Sequence, residues 1–256
     1  MHTNGKVIIA GAGPGDPELL TLKSLRAIER ADIILYDALI HTEILKAAKP
    51  GCEFIFVGKR KGCHELPQQT INELLVKYSQ KYGLVLRLKG GDPYVFGRGF
   101  EEYSSLISKG IDVEVIPGVS SAISGASCVG IPVTVRGLNE SFWVVTGTVS
   151  DGGISNDLEL AARSTATIII VMGMSQLDKI MRMICRLRTA QEPVAIIQDA
   201  TTERQRAVKG TAQNISEIAN QYGIGAPAVV VVGKVVSVAE LDQFLNTQEV
   251  KLRLAV

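Results

Sequence analysis

The chain has little with which to staple itself or hold a metal. It carries four cysteines (Cys52, Cys63, Cys128, Cys185) and three histidines (His2, His41, His64) in 256 residues, with no C-x-x-C pair. Metal sites are read from recurring Cys/His spacings, and none recurs; Cys63 and His64 are adjacent, but sequence neighbours rarely chelate one ion alone. No metal is expected, and scattered thiols fit a reducing compartment. Long apolar runs are also missing: "ATIIIVMGM" is about half the length that a membrane helix requires. The amino-terminal stretch "MHTNGKVIIAGAGPG" passes from a short polar lead into a strand and a glycine loop, without an extended apolar region or a small-residue cleavage site, so a cytoplasmic protein without a membrane partner is expected. Charge of one sign is scarce as well. Lys+Arg number 27 against 26 Asp+Glu, a net +1, so no global field draws the chain to nucleic acid, and an anionic ligand must be held by a local cluster.

What is present suits an ordinary folded protein: 46% hydrophobic and 21% charged residues in 27.5 kDa, enough for one large domain or two modest ones. Short Val/Ile/Leu runs alternate with amphipathic stretches, the pattern of parallel sheets covered by helices. Strands are expected at "KVIIAG", "DIILYD", "EFIFVG", "LVLRLK" and "DVEVIP", then at "SFWVVTG", "ATIIIVMG", "PVAIIQDA", "RAVKG" and "AVVVVG". Helices are expected over Thr21 to Ala31, Gln68 to Tyr82, "QLDKIMRMICRL" and "NISEIANQYG", where apolar residues recur at helical spacing. The expected layout is α/β, with an amino-terminal domain over 1–117, a carboxyl-terminal domain over 118–246 and a tail over 247–256.

Glycine loops leave three of the first five strands. "GAGPGD" puts Gly11, Gly13 and Gly15 at the first strand's exit, where an open α/β sheet binds its ligands. The G-x-G-x-x-G dinucleotide fingerprint fails at its last position, Asp16, whose carboxylate would repel a pyrophosphate. Asp37, closing the second strand, does mimic a ribose-binding acid and keeps an NAD-linked oxidoreductase as an alternative. "RLKGGDPYVFGRG" repeats the theme with Gly90, Gly91 and Asp92, and its Gly97 and Gly99 are expected to free Arg98 to reach across the cleft that these loops outline. Arg87 and Lys89, two apart, point to one face of their strand. Two cations there imply a sheet edge or an anion facing them. "VIPGVSSAISGAS" opens a helix with Ser120 or Ser121 as its cap. Glycines and acids without a phosphate signature suggest a neutral or cationic nucleoside, which S-adenosylmethionine fits.

"GAGPGD", "LLTLK", "ADIILYDALI", "VGKRKG", "RLKGGDPYVFGRG", "VIPGVSSA", "GIPVT", "VMGM" and "VVVVGKVV" follow one another from Lys6 to about Val238 in the order and spacing of the tetrapyrrole methylase family, which the chain resembles. "VGKR" with "RLKGGDPxxFGRG" narrows the resemblance to members acting on uroporphyrinogen III. It implies a two-domain α/β methyltransferase with mostly parallel sheets, a cleft between the domains as active site, a homodimer, S-adenosylmethionine as methyl donor and S-adenosylhomocysteine as product. The implied reaction adds two methyl groups, at C2 and C7, giving precorrin-2 by way of precorrin-1 for sirohaem, cobalamin or haem d1. No dinucleotide-binding module of the kind that bifunctional sirohaem synthases carry is read, so only methylation is expected.

Position by position, the resemblance implies Asp37 as proton acceptor and Lys59 as proton donor. Pro14, Gly90, Gly91, Asp92, Val95, Ser120, Ser121, Met172 and Ala200 would line the cofactor site. Arg60, Arg87, Lys89, Arg98 and Arg136 would meet the eight carboxylates of the substrate. Val135, Cys63 and Ala200 depart from the family pattern and bear on fine contacts. Another methylase of the family, acting on a later corrin intermediate, and a non-catalytic scaffold are the further alternatives.

Overall fold

Five short apolar runs of the first half pair side by side: β1 (Lys6–Gly11), β2 (Ile33–Tyr36), β3 (Glu53–Phe56), β4 (Leu84–Lys89) and β5 (Val113–Ile116). Their order is β3-β2-β4-β1-β5 and every pairing is parallel. This computed structural model describes residues 5–58, 66–149 and 151–239. The chain divides into two compact units, Met1–Ser120 and Ser121–Val256, and each is described by itself. The expected tail over 247–256 lies outside the described residues.

In the first unit, alternate residues of each strand face opposite layers. Ile8, Ala10, Ile34, Leu86 and Leu88 pack with Ala27 and Ile28 of α1 (Leu22–Arg30). Val7, Ile9, Ile33, Leu35 and Val85 pack instead with Ile71 and Leu75 of α2 (Gln68–Ser79) and Leu106 of α3 (Gly99–Ile107). Each fully buried Ile or Leu contributes roughly 1.5–3 kcal/mol, so both layers hold the sheet. By the same alternation Arg87 and Lys89, in phase with Val85, turn toward α2 and α3. They do so on the middle strand of five.

The second unit holds β6 (Phe142–Thr146), β7 (Thr167–Val171), β8 (Pro193–Gln198), β9 (Arg206–Thr211) and β10 (Ala228–Val232), in the order β6-β7-β10-β8-β9. Over the two sheets together parallel pairings outnumber antiparallel ones, as expected. Taken alone, however, the second sheet corrects that expectation: β6–β7 is parallel, while β10 runs antiparallel to β7 and β8, and β9 antiparallel to β8. The physical reason is connection length. The segment 199–205 between β8 and β9 is too short for a crossover helix, and a short link can join only antiparallel neighbours. Helices α4 (Ser121–Ser127), α5 (Asn156–Ala162), α6 (Leu177–Leu187) and α7 (Ile215–Gln221) cover this sheet.

Candidate active site

Because the first sheet is parallel, the carboxyl ends of its strands share one edge, and the glycine loops meet there. The Gly13 N–H donates to the Gly91 carbonyl (3.3 Å) and the Gly91 N–H to the Gly13 carbonyl (2.7 Å). A Cβ on Gly11 would stand 2.5 Å from the Gly91 oxygen and 2.6 Å from the Gly118 Cα, far inside contact distance. Asp92 ties the third loop in: its Oδ2 accepts the Gly118 N–H (3.0 Å) and its Oδ1 the Tyr94 N–H (2.8 Å). The loops after β1 and β4 are thus joined main chain to main chain, and the loop after β5 is held to them through the Asp92 carboxylate. Part of the glycine demand read in the sequence is a demand of the loops on one another.

The dinucleotide alternative fails on the same loop. Asp16 Oδ1 accepts the Glu18 N–H (2.8 Å) in a one-turn helix, Pro17–Leu19, and α1 begins only at Leu22, with Thr21 Oγ1 accepting the Ser24 N–H (3.1 Å). A pyrophosphate needs an open helix N-terminus directly after the strand. Here those donors are already occupied by side chains.

Beside the loops lies a charged cluster. Asp37 follows β2, its N–H bonded to the Leu88 carbonyl of β4 (3.3 Å). Arg87 Nη2 donates to Asp37 Oδ1 (2.6 Å), and Lys89 Nζ stands 3.7 Å from Asp37 Oδ2. Behind both cations is Glu102 of α3, whose Oε1 accepts from Lys89 Nζ (2.9 Å), Arg87 Nε (3.1 Å) and Gln68 Nε2 (3.2 Å). Arg87, Lys89 and Glu102 are buried, with 1%, 4% and 0% of their surface exposed, whereas the Asp37 side chain keeps 27%. Burial opposes the Arg87 charge, but the carboxylates of Glu102 and Asp37 outweigh it and hold the guanidinium above its ordinary range.

This arrangement corrects the reading of Arg87 and Lys89 as groups presented to a substrate. The anion they face is the protein's own, and buried charges persist only when paired in this way. A second correction concerns Gly97 and Gly99. A Cβ on either would press on the Pro93 carbonyl oxygen, at 2.8 and 2.5 Å, so both serve a tight turn and not the reach of Arg98. Arg98 itself caps α3 with φ +57° and forks onto Glu101 (2.8 and 2.7 Å). Pro14, Gly90 and Gly91 are half-buried on the joined loops, and Val95 is exposed beyond them. Ser120 ends the first unit. Lys59, Arg60 and Cys63 lie outside the described residues.

In the second unit, β7 and β8 both oppose β10, so their carboxyl ends also share an edge. Met172, directly after β7, has φ +53° and is 55% exposed; Asp199 and Thr201, flanking Ala200 after β8, have φ +47° and +69°. Non-glycine residues held in this region cost on the order of 1–3 kcal/mol each, and such strain gathers where ligands bind. The Ala200 side chain is buried in the unit's core beside Gly125 of α4, which leaves only its main chain for a ligand. Ser121 is the first residue of α4, and Arg136 is exposed in the turn pinned by Asn139 Oδ1 on the Val135 N–H (2.8 Å). Among the described residues no group of His, Cys, Asp and Glu is arranged to hold a metal. No helix among them is long and apolar enough to cross a membrane.

Sequence reasoning missed two helices, α3 and α5, and with α3 it missed Glu102. A signal existed: Glu102 precedes the buried Leu106 by four residues, which places an acid on the inward face of its helix.

Main chain crowded at the carboxyl end of a parallel sheet, with an acid half-open beside it, is the geometry of α/β enzymes that take a nucleoside against backbone. Comparison with known proteins narrows this class. A family model described as Tetrapyrrole (Corrin/Porphyrin) Methylases matches residues 6–216. A uroporphyrinogen-III C-methyltransferase of Methanocaldococcus jannaschii is 47% identical over 238 residues, 92% of this chain and 98% of that protein. A siroheme synthase of Methylobacillus flagellatus is 40% identical over 249 residues, covering 96% of this chain and 53% of its own length. The solved structure of a uroporphyrin-III C-methyl transferase from Thermus thermophilus, complexed with S-adenyl homocysteine, superposes with a TM-score of 0.79 at 39% identity, over 91% of this chain and 100% of that one. The chain belongs to the tetrapyrrole methylase family, and it is a methyltransferase.

Proposed function

We propose that the protein transfers two methyl groups from S-adenosylmethionine to C2 and C7 of uroporphyrinogen III, giving precorrin-2 by way of precorrin-1. The observation that carries this reading is Asp37: it closes a strand beside the joined glycine loops, anchored through Oδ1 to a buried arginine, and its side chain keeps 27% of its surface exposed. The residues present fit the cofactor. The cations that end β4 are consumed by Asp37 and Glu102, so this edge asks for no phosphate, and the half-buried loop at Pro14, Gly90 and Gly91 suits a ribose and an amino acid group. When bound, S-adenosylmethionine supplies an electrophilic methyl carbon on its sulfonium.

The chain's own work is alignment and proton removal. As a pyrrole carbon gains its methyl, the macrocycle becomes cationic and must lose a proton elsewhere; Asp37 Oδ2 accepts it, with Arg87 holding Oδ1 still. Pro14, Asp92, Val95, Ser120, Ser121, Met172 and Ala200 complete the cofactor contacts in this reading. Arg98, Arg136, Arg60 and Lys59 serve the substrate, with Lys59 as proton donor. A homodimer in the cytoplasm belongs to the same proposal, and sedimentation would read the dimer.

Anaerobic incubation of the full chain with uroporphyrinogen III tests the function. Two equivalents of S-adenosylhomocysteine released per macrocycle are expected, and none in its absence. Release that requires a later corrin intermediate would favour the other methylases of the family, and no release at all would contradict the proposal.

A further inference from the structure

Glu102 is a fully buried carboxylate that the reaction as set out above does not use. Its bonding is lopsided. Oε1 accepts from Arg87, Lys89 and Gln68, while Oε2 is buried with no hydrogen-bond partner among the described residues. A buried acceptor left unmade is costly, and replacing a buried ionic cluster by apolar side chains is often neutral or stabilising. Stability alone is therefore a poor reason for this acid.

The distances suggest another reason. Lys89 Nζ sits between two carboxylates, at 2.9 Å from Glu102 Oε1 and 3.7 Å from Asp37 Oδ2. The first is a hydrogen bond; the second is beyond one. Arg87 is divided likewise, Nε to Glu102 and Nη2 to Asp37 Oδ1. Of the two Asp37 oxygens, Oδ1 is taken, and no hydrogen bond reaches Oδ2 among the described residues.

We propose that Glu102 is a positioning residue for Asp37: by drawing Lys89 onto its own Oε1 it keeps that ammonium off Asp37 Oδ2, and so leaves Oδ2 open to the proton of the substrate. The inference rests on the reading of Asp37 as proton acceptor. Without the Glu102 charge, two buried cations face a single carboxylate, and Lys89 closes the remaining gap to Oδ2. The base is then held at both oxygens and unavailable.

Steady-state kinetics of the full chain, with uroporphyrinogen III under anaerobic conditions, tests this through four variants. Glu102→Gln keeps the shape and removes the charge; kcat is expected to fall about tenfold or more, within the range that general bases contribute, with KM for S-adenosylmethionine within about twofold. Glu102→Gln with Lys89→Met restores the charge balance and removes the ammonium that would close on Oδ2, so kcat should return to within about threefold of the parent even if the single variant folds poorly. Asp37→Asn should lose most of kcat, and adding Glu102→Gln to it should cost nothing further. Wild-type kcat in Glu102→Gln, failure of the double variant to recover, or an equal loss on the Asp37→Asn background would each overturn the positioning role. Wild-type kcat in Asp37→Asn would instead sink the reading of Asp37 itself.

Discussion

Gly13 and Gly91 are bonded to each other in both directions, N–H to carbonyl, although one follows β1 and the other β4. Gly91 reaches this bridge with φ +65°, and Gly118 packs on the same point from the loop after β5. Three segments far apart in sequence thus form one main-chain surface, which is the surface the proposed cofactor needs.

Valine at position 91 should therefore separate the loops. Gly91→Val is expected to weaken S-adenosylhomocysteine binding at least tenfold by calorimetry, about 1.4 kcal/mol. Gly110→Ala is the control: it too has positive φ (+70°), but nothing lies within 4 Å of its Cβ. It should cost about 1–2 kcal/mol of stability and leave binding unchanged.

The buried cluster should be worth more to the fold than the exposed pairs. Arg87→Met strips a guanidinium from two carboxylates and is expected to destabilise by about 3–5 kcal/mol in urea. Arg98→Gln breaks a pair in which both side chains are more than half exposed, and should cost under about 1 kcal/mol while raising KM for uroporphyrinogen III severalfold.

Met172→Gly relieves a left-handed backbone at an exposed position, so little packing is lost. Its melting temperature should match or exceed the parent's. Weaker S-adenosylhomocysteine binding in the same variant would mark the strain as part of the site.

Acid stability carries a signature of its own. Glu114, hydrogen-bonded to Lys23 and Lys6, is held down to about 2, below its ordinary value of 4.5. A depressed carboxylate contributes stability above its unfolded pKa and loses it as pH falls through the folded one, so the window is about 4.5 to 2. Between these limits the urea midpoint of Glu114→Gln should fall less steeply than the parent's. The difference should be on the order of 1 kcal/mol, since both lysines are solvent-exposed.

The strands were legible because Val/Ile/Leu runs bounded by glycine and proline carry their own signal; all ten expected runs contain a strand. α3 was not. It starts at Gly99, after a capping Arg98 in a left-handed conformation that makes no side-chain cap bond, so no capping signal precedes it. The direction of β10 was hidden because an apolar run says that a strand is buried but not which way it points. For the site, the motifs located Asp37, Arg87 and Lys89, yet the partner of the two cations was invisible. Glu102 lies on another element, and only the packing of α3 on β4 brings the charges together.

The most direct test of the account is the product itself. After anaerobic incubation of the enzyme with uroporphyrinogen III and methyl-carbon-13-labelled S-adenosylmethionine, mass spectrometry and carbon-13 NMR should show a macrocycle heavier by two labelled methyl groups, carried at C2 and C7. A macrocycle recovered unlabelled, or methylated at other positions, would contradict it.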